Sequence, residues 1–336
     1  MTSETQYSAF SIQHSTFNIQ HCMKILVPAQ IREALEPMLP AGIQAVWVDP
    51  DGSFDHSPSD AVAYFRWWTD QPVLDRVLAA APAVRWMHTP SAGVDHVLTP
   101  TVLARDITLT NSAGVHAIPI AEFVLGFMLS HAKQLGAFAA AQDERRWDRS
   151  PDSRELYEST LLIIGIGGIG QAIAERAAAF GMRVYGSRRT PQPMPGVARV
   201  VGGEGWRDLL PEADYIVVAA PLTPETRGMI DAAAFAAMRP TAYLINIARG
   251  AVIDEPAFID AIRGGAIGGA ALDTFEQEPL PAESPLWGLP HVTITPHATA
   301  NSPRMRERQI ALFVENLARF RDGQPLINIV DKSAGY

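Results

Sequence analysis

Three ionisable side chains in the second half of the chain have the types and positions needed for acid–base and carboxylate chemistry. Arg249, Glu278 and His297 each lie shortly after a predicted strand. Because ligands bind at the carboxyl ends of the strands in an open parallel sheet, we expect the three to meet. Arginine binds carboxylates, histidine transfers protons near neutral pH, and a glutamate can orient that histidine. Taken singly, each has a simpler interpretation, as a solvated arginine, a surface carboxylate or a structural histidine; only the combination favours a catalytic site.

A glycine-rich turn precedes these residues in the chain. Residues 165–170 read Gly-Ile-Gly-Gly-Ile-Gly, directly after the apolar run 161–164 and at the start of a predicted helix, 169–180. In such a turn the glycines permit a tight bend, a close approach to a pyrophosphate and close packing of helix on strand, and the helix N-terminus supplies free N–H groups. We therefore predict a dinucleotide site that includes Gly165, Gly167, Gly168, Ile169 and Gly170.

The end of the next predicted strand bears on the choice of cofactor. An NAD site usually places Asp or Glu there, whereas this chain reads Ser187, Arg188 and Arg189. Guanidinium groups bind phosphate through paired hydrogen bonds, so these three residues favour the 2′-phosphate of NADP(H) over NAD(H). The alternative is that both arginines are merely solvated at a strand end.

Two series of apolar strands alternate with helical or turn segments. The first comprises residues 24–27, 43–48, 61–65, 84–88 and 107–110, and the second comprises 161–164, 184–185, 214–219, 243–247, 269–272 and 292–295. Strands and helices that alternate at this spacing imply parallel sheets. The sequence therefore predicts an α/β protein with two Rossmann-like, doubly wound parallel-sheet domains and an interdomain cleft.

The domain bounds follow from the helices that connect the two series. A long apolar helix, 119–134, should begin with Pro119 at its first position and be buried, and a last helix, 303–321, should return to the first domain. We predict a discontinuous substrate-binding domain (23–118 and 299–336) and a dinucleotide-binding domain (119–298). Residues 1–22 lack the features of a signal peptide and are expected to be a disordered extension or a misassigned start.

The composition excludes several classes of function. The 336 residues carry a net charge of −9, and no cluster of Lys and Arg is large enough for a nucleic-acid surface. No apolar run approaches the roughly 20 residues that a membrane helix needs. The single cysteine, Cys22, permits neither an internal disulfide nor a thiolate metal cluster. We therefore predict no membrane or nucleic-acid partner, no metal and a cytoplasmic location.

Considered together, these segments resemble the D-isomer-specific 2-hydroxyacid dehydrogenase family, and most of all its NADPH-preferring glyoxylate/hydroxypyruvate reductases. The resemblance runs from Met23 to about Val330 and rests on residues 91–95, Asn111, 121–122, 165–170, 221–226, 246–250, 273–279 and 295–297. It implies that Arg249, Glu278 and His297 are catalytic and that Asp273 contacts the nicotinamide carboxamide. The predicted cofactor site is completed by Pro221, Thr226, Ala248, Asp273 and His297, although Thr226 has a second interpretation as a helix cap.

The predicted substrate site combines residues from both halves of the chain. Ala92, Gly93 and Val94 are expected to form a turn whose amides receive the substrate carboxylate with Arg249. Trp67, from the tandem pair Trp67 and Trp68, is expected to shape a pocket for the substrate tail, with core packing of one of the pair as an equal alternative. Gly93 has the alternative of an ordinary turn glycine.

The function predicted from these residues is hydride transfer between NADP(H) and a small 2-keto or D-2-hydroxy acid such as glyoxylate, hydroxypyruvate or a bulkier analogue. The alternatives are a non-catalytic nucleotide-sensing interaction protein, or a related formate or phosphonate dehydrogenase. The resemblance also implies a homodimer, to which Trp147 would contribute. We expect His88 and His116 to be structural.

Overall fold

The protein is built on two parallel β-sheets, as seen in a computed structural model that describes residues 22–149 and 152–335. Apart from Cys22, the predicted N-terminal extension lies outside the described residues. The first sheet has the order β2-β1-β3-β4-β5. Its strands are β1 (Met23–Pro28), β2 (Ile43–Val48), β3 (Ala63–Phe65), β4 (Trp86–His88) and β5 (Thr108–Thr110). All four neighbouring pairs are parallel.

The second sheet has the order β12-β11-β10-β9-β6-β7-β8, again with every pair parallel. Its strands are β6 (Thr160–Ile164), β7 (Arg183–Ser187), β8 (Arg199–Val201), β9 (Tyr215–Val218), β10 (Tyr243–Asn246), β11 (Gly269–Leu272) and β12 (Val292–Ile294). The predicted fold class is confirmed, although β8 was not predicted. The strand order reverses beside β6, which puts the glycine-rich turn at the point where such sheets bind ligands.

Helices cover both faces of the two sheets. They are α1 (Arg32–Leu35), α2 (Gln71–Ala80), α3 (Pro100–Ala104), α4 (Ala117–Ala132), α5 (Leu135–Asp143), α6 (Gly168–Ala179), α7 (Ala232–Ala237), α8 (Glu255–Arg263) and α9 (Met305–Arg321). Short 3₁₀ helices span Ala29–Ile31, Glu36–Met38, Gly203–Glu212, Gly250–Val252 and Pro285–Gly288. No helix in the described ranges is long and apolar enough to cross a membrane.

Strand β6 shows why the strands of the second sheet are continuous apolar runs in the sequence. Successive side chains of a strand point to opposite faces. Leu161 and Ile163 accordingly pack with α4 and α6, whereas Leu162 and Ile164 pack in the core beneath α7 and α8. Both faces are buried, so the strand has no polar side.

Helix α4 differs from its prediction at both ends and in its burial. It begins two residues before Pro119, which therefore lies within the first turn, where a missing N–H is tolerated. It ends before Gln134, which has a left-handed backbone with φ of 55° and starts α5. One side packs on α6, but Ile118 and Phe123 are 41% and 37% exposed. Within a single chain α4 is therefore buried on one side only and keeps one exposed apolar face, so its full burial stays a prediction.

Helix α9 packs on the first sheet, although it follows the last strand of the second in sequence. Ile310, Phe313 and Leu317 enter the core formed by β1, β3 and β4. The ring of Phe313 stacks on Phe65 at a centroid distance of 4.2 Å. The chain thus returns to the first sheet between β12 and α9, and the predicted boundary at residue 299 stays a prediction.

Candidate active site

A cleft of about 590 Å³ lies between the carboxyl ends of the two sheets. The first sheet contributes Trp68, Ser91, Ala92, Gly93, Asp95 and His96, and the second contributes residues that include Ile169, Leu222, Arg227, Arg249, Glu278 and His297. The cleft therefore brings together the predicted catalytic trio, part of the predicted carboxylate turn and the first turn of α6.

The glycine-rich turn has the backbone that its sequence predicts. Gly165 has a φ of 92°, and a β-carbon there would overlap the backbone of Ala220. A β-carbon at Gly170 would press on Ile163 and Ile166 at 3.1 Å, which explains the close packing of α6 on β6. At Gly167 and Gly168, by contrast, an added β-carbon would meet nothing within 4 Å. The space over the turn is open, and the first amides of α6 have no partner within the helix, so the turn fits a pyrophosphate.

The end of β7 lies beside this turn and is hydrogen-bonded to it. The carbonyl of Ser187 accepts hydrogen bonds from the amides of Gly165 at 3.1 Å and Ile166 at 2.7 Å. Arg188 follows, half-buried, with its guanidinium 3.7 Å from the sulfur of Met194. Arg189 is exposed. A phosphate that enters the site can therefore reach its guanidinium.

His297 and Glu278 form a dyad at the edge of the cleft. Glu278 Oε2 lies 2.8 Å from His297 Nδ1, and its Oε1 accepts a hydrogen bond from the amide of Phe275 at 3.0 Å. A carboxylate only accepts, so His297 Nδ1 carries the hydrogen and Nε2 is left as the free ring nitrogen. His297 Nε2 has no hydrogen-bond partner among the described residues, which leaves it free to exchange a proton with a ligand.

Asp273 holds the loop that carries His297. Its buried carboxylate accepts hydrogen bonds from Thr295 Oγ1 at 2.5 Å, the Ala298 amide at 2.8 Å, and the amide and hydroxyl of Thr299 at 3.1 and 2.6 Å. His297 has a φ of 51°, a left-handed conformation that is uncommon for a residue with a side chain. These hydrogen bonds maintain that conformation. A contact between Asp273 and the nicotinamide stays a prediction.

Arg249 reaches from the end of β10 to the first sheet. Its Nη1 donates to the carbonyl of Ala248 at 2.8 Å, and its Nη2 donates to Oδ1 of Asp95 at 3.0 Å. A β-carbon at Gly93 would overlap the same Nη2, so glycine at this position leaves room for the guanidinium. The neighbouring His96 side chain and the Arg249 guanidinium hold the pKa of the Asp95 carboxyl well below its usual range, although burial opposes the shift.

The predicted carboxylate turn has free amides. The backbone N–H groups of Ala92, Gly93 and Val94 donate no hydrogen bond to any residue in the described part of the chain, and Asn111 Nδ2 holds the Ala92 carbonyl at 2.7 Å. Such free amides suit an anion. The side chain of Val94 is fully buried in the core beneath, so only its amide can serve a ligand.

The prediction for the tandem tryptophans needs correction. Trp67 packs in the core, 9% exposed and edge-on to Phe65 at 5.4 Å, and it does not line the cleft. Trp68 lines the cleft instead and is 51% exposed. The reason is alternation along the extended chain, because Trp67 shares the core face with Phe65 and Trp68 points the other way.

Three other predicted residues have mainly local contacts. Thr226 Oγ1 donates to the Pro221 carbonyl at 2.6 Å and accepts from the Thr223 amide at 2.8 Å, which stabilises a turn rather than a helix end. Ala248 is 8% exposed in the loop before Arg249. Contacts of Pro221, Thr226 and Ala248 with a cofactor stay predictions.

The two other histidines singled out in the sequence are buried. His88 is fully buried between Thr110 Oγ1 at 2.8 Å and Ser112 Oγ at 3.1 Å, and burial lowers its pKa to about 3. His116 lines the cleft but is only 5% exposed, and burial lowers its pKa to about 4. Burial favours the neutral form of both rings. Both ring nitrogens of His88 have hydrogen-bond partners, whereas buried His116 Nδ1 has none among the described residues, so a structural role for His116 stays a prediction.

Sequence reasoning missed Asp95 and His96 as members of the site. Both directly follow the predicted carboxylate turn, so adjacency to that motif was an available signal. What it could not reveal was the Asp95–Arg249 ion pair, because the two residues lie 154 positions apart.

The chain is similar to known proteins in both sequence and fold. Residues 125–299 match the family model described as D-isomer specific 2-hydroxyacid dehydrogenase, NAD binding domain. The chain is 34% identical to a glyoxylate reductase from Korarchaeum cryptofilum over 270 residues, which cover 78% of this chain and 80% of the relative. It spans under half the length of the D-3-phosphoglycerate dehydrogenases that it matches. With the enzyme from Mycobacterium bovis it shares 38% identity over 69% of this chain and 44% of the relative.

Solved structures resemble the whole fold. A D-isomer specific 2-hydroxyacid dehydrogenase from Xanthobacter autotrophicus Py2, in complex with NADPH and MES, has a TM-score of 0.83 and 32% identity over 94% of this chain and 99% of that one. An NADPH-dependent glyoxylate/hydroxypyruvate reductase from Sinorhizobium meliloti, in complex with NADP and sulfate, has a TM-score of 0.80 and 31% identity over 93% and 99%.

Proposed function

Because the chain belongs to the D-isomer-specific 2-hydroxyacid dehydrogenase family, we propose that it reduces a small 2-keto acid to the D-2-hydroxy acid with NADPH. The observation that carries this proposal is the His297–Glu278 dyad, which lies in one cleft with Arg249 and the first turn of α6. The predicted non-catalytic, nucleotide-sensing alternative is not favoured, because the relatives that match are named dehydrogenases or reductases.

The substrate carboxylate would bind at the first sheet. Arg249, Ala92 and Gly93 line this part of the cleft, where the guanidinium and the free amides supply donors for a carboxylate. Asp95 Oδ1 already accepts from Arg249 Nη2 at 3.0 Å. This double anchor would fix the orientation of the bound 2-keto acid in the cleft. Arg249 also stabilises the negative charge that develops on the keto oxygen.

His297 would supply the proton. Its free Nε2 donates to the keto oxygen, while Glu278 holds Nδ1 and stabilises the charged ring before the transfer. The nicotinamide, when bound, supplies the hydride. In the reverse direction, His297 Nε2 takes the proton from the hydroxyl.

The experiment that tests this function is a panel of glyoxylate, hydroxypyruvate and phenylpyruvate with NADPH. We expect NADPH oxidation with at least one of them and almost none for His297→Asn, which keeps the size of the site but cannot transfer the proton. Tight NADPH binding without turnover of any 2-keto acid would contradict the proposal.

The preference for NADPH is a separate part of the proposal. It is supported by Ser187, Arg188 and Arg189 at the end of β7 and by the NADP(H) complexes of the two structural relatives. We expect Arg188→Ser to lower kcat/KM for NADPH by about tenfold or more and to leave kcat/KM for NADH nearly unchanged. Arg183→Ser, at the opposite end of the same strand, is the matched control. Faster turnover of wild-type protein with NADH than with NADPH would contradict this preference.

We further propose a homodimer formed through the exposed apolar side of α4 and α5, here called the α4–α5 face. It comprises Ile118, Phe123, Leu135 and Phe138, which are 37–52% exposed, and Trp147, 89% exposed, lies shortly after it in sequence. Exposed apolar side chains in such numbers often mark a protein–protein interface, and a second copy of the chain is the partner that the family resemblance implies. Phe138→Glu should yield monomers in sedimentation velocity, whereas Phe180→Glu, at an exposed phenylalanine directly after α6, should not. An unchanged mass for Phe138→Glu would contradict this interface.

A further inference from the structure

Three consecutive backbone carbonyls at the start of the predicted carboxylate turn accept hydrogen bonds. The three pairs are Pro90 with Gln309 Nε2 at 2.8 Å, Ser91 with the Ser112 amide at 2.9 Å, and Ala92 with Asn111 Nδ2 at 2.7 Å. Two of these donors shortly precede α4 in the chain. The third, Gln309, lies on α9, 219 positions after Pro90. The backbone of the turn is therefore fixed by contacts that its own sequence does not supply.

These hydrogen bonds determine where the amides of the same peptide planes point. In a trans peptide, the carbonyl of one residue and the N–H of the next point in opposite directions. The Pro90 carbonyl points at Gln309, which is fully buried, so the Ser91 N–H points away from α9. Ser91 lines the cleft, and its amide donates no hydrogen bond to any other described residue. The free amides therefore begin at Ser91, one residue before the predicted turn.

The side-chain amide of Gln309 is only partly satisfied in the interior of the protein. A carbonyl only accepts, so the atom 2.8 Å from the Pro90 oxygen must be the amide nitrogen, and Oε1 must point elsewhere. Oε1 is buried and has no hydrogen-bond partner in the part of the chain that the structure describes. The second contact of the nitrogen, with His116 Nε2, is long at 3.4 Å. Stability alone does not explain this amide, because a buried acceptor without a partner costs free energy that offsets the bond to Pro90.

Building on the proposed function, we propose that Gln309 is a positioning residue of the substrate-carboxylate site. By holding the Pro90 carbonyl, it keeps the Ser91 amide directed into the cleft, next to the free amides of the predicted turn. Gln309 is fully buried and does not line the cleft, so it does not touch the substrate. Its effect is on binding of the carboxylate rather than on transfer of hydride or proton, because donors that already point at the ligand need not reorient when it arrives.

The test removes the donor and keeps the volume of the side chain. Gln309→Met has nearly the same length and shape but cannot donate to the Pro90 carbonyl. We expect KM for the 2-keto acid to rise about fivefold, with kcat and KM for NADPH within about twofold of wild type. Gln309→Leu removes the same donor with a different shape and should raise KM by a similar factor. Ile310→Val is the matched control, since it trims the neighbouring buried side chain of α9, which is apolar and makes no hydrogen bond.

A binding measurement separates this role from general destabilisation. Oxamate, an unreactive isostere of a 2-keto acid, is titrated into the NADPH-bound protein, and Gln309→Met should weaken its binding about fivefold whereas Ile310→Val should not. The free energy of unfolding of each variant is measured in urea, so that a loss of affinity can be compared with a loss of stability. Unchanged oxamate affinity and KM in both Gln309 variants, or the same weakening in Ile310→Val, would overturn the role of Gln309. A wild-type protein that binds NADPH but neither binds oxamate nor reduces any 2-keto acid contradicts the proposed function instead.

Discussion

The backbone carbonyl of Asp273 accepts a hydrogen bond from the amide of His297 at 2.9 Å, so the residue that anchors the catalytic loop also holds the backbone of the proton donor. The two residues come from the ends of neighbouring strands, β11 and β12. Their contact explains how His297 keeps a left-handed backbone in an exposed loop, because the surrounding hydrogen bonds outweigh the local cost.

Replacing Asp273 should therefore destabilise the loop. In Asp273→Asn the side-chain amide nitrogen would face donors from residues 295–299, so at least one buried hydrogen bond is lost. We expect the free energy of unfolding, measured in urea, to fall by about 1–3 kcal/mol and kcat to fall with it. Asp254→Asn is the matched control, because Asp254 caps α8 and asparagine caps almost as well. Equal unfolding free energies for Asp273→Asn and wild type would show that these bonds do not support the loop.

Glu278→Gln tests the charge of the dyad separately from its geometry. Glutamine has nearly the same size and can still contact His297 Nδ1, but it cannot stabilise a protonated ring by charge. We expect kcat to fall at least about tenfold while KM for NADPH stays within about twofold. The control Glu283→Gln removes an exposed carboxylate from the same region. A kcat equal to that of wild type would mean that Glu278 orients His297 without an electrostatic role.

Gly93→Ala tests whether space beside Arg249 is needed. The added β-carbon would overlap Arg249 Nη2, and the guanidinium must move because it is the flexible group of the pair. We expect KM for the 2-keto acid to rise several-fold, with no change in KM for NADPH. Gly288→Ala is the control, since a β-carbon there meets nothing within 4 Å. If Gly93→Ala leaves KM unchanged, the position of Arg249 Nη2 does not limit substrate binding.

Stability should fall as the pH is lowered through the range in which buried histidines resist protonation. Burial, with smaller contributions from Arg154 and His291, lowers the pKa of His131 to about 4, against 6.5 in the unfolded chain. Between these values the unfolded chain binds the proton and the folded chain does not, so the free energy of unfolding falls from pH 6.5 to pH 4. His88 and His116 act in the same direction.

His131→Phe isolates one of these contributions. Phenylalanine can keep the stacking on Tyr243, where the ring centroids are 4.1 Å apart, but it does not titrate. The slope of unfolding free energy against pH between 6.5 and 4 should therefore be smaller than in wild type. An identical slope in wild type and His131→Phe would show that protonation of His131 is not coupled to unfolding.

The sequence by itself determined the parts of this protein that depend on local residue types. The turn that starts at Gly165 was predictable because only glycine readily adopts its φ of 92°, and the parallel sheets were predictable because buried strands are apolar on both sides. Arg249, Glu278 and His297 were predicted because each follows a strand and matches a segment of the family pattern. The structure brings all three to one cleft.

Tertiary structure alone decided the features that depend on packing between distant residues. Trp68 rather than Trp67 faces the cleft because the register of β3 in the sheet selects the face, and a tandem pair gives no sign of which face is buried. The pairing of Asp95 with Arg249 joins two sheets, so no periodicity or spacing within either segment could predict it. Local conformation follows from the nearest few residues, whereas a contact across the cleft exists only after both sheets have folded.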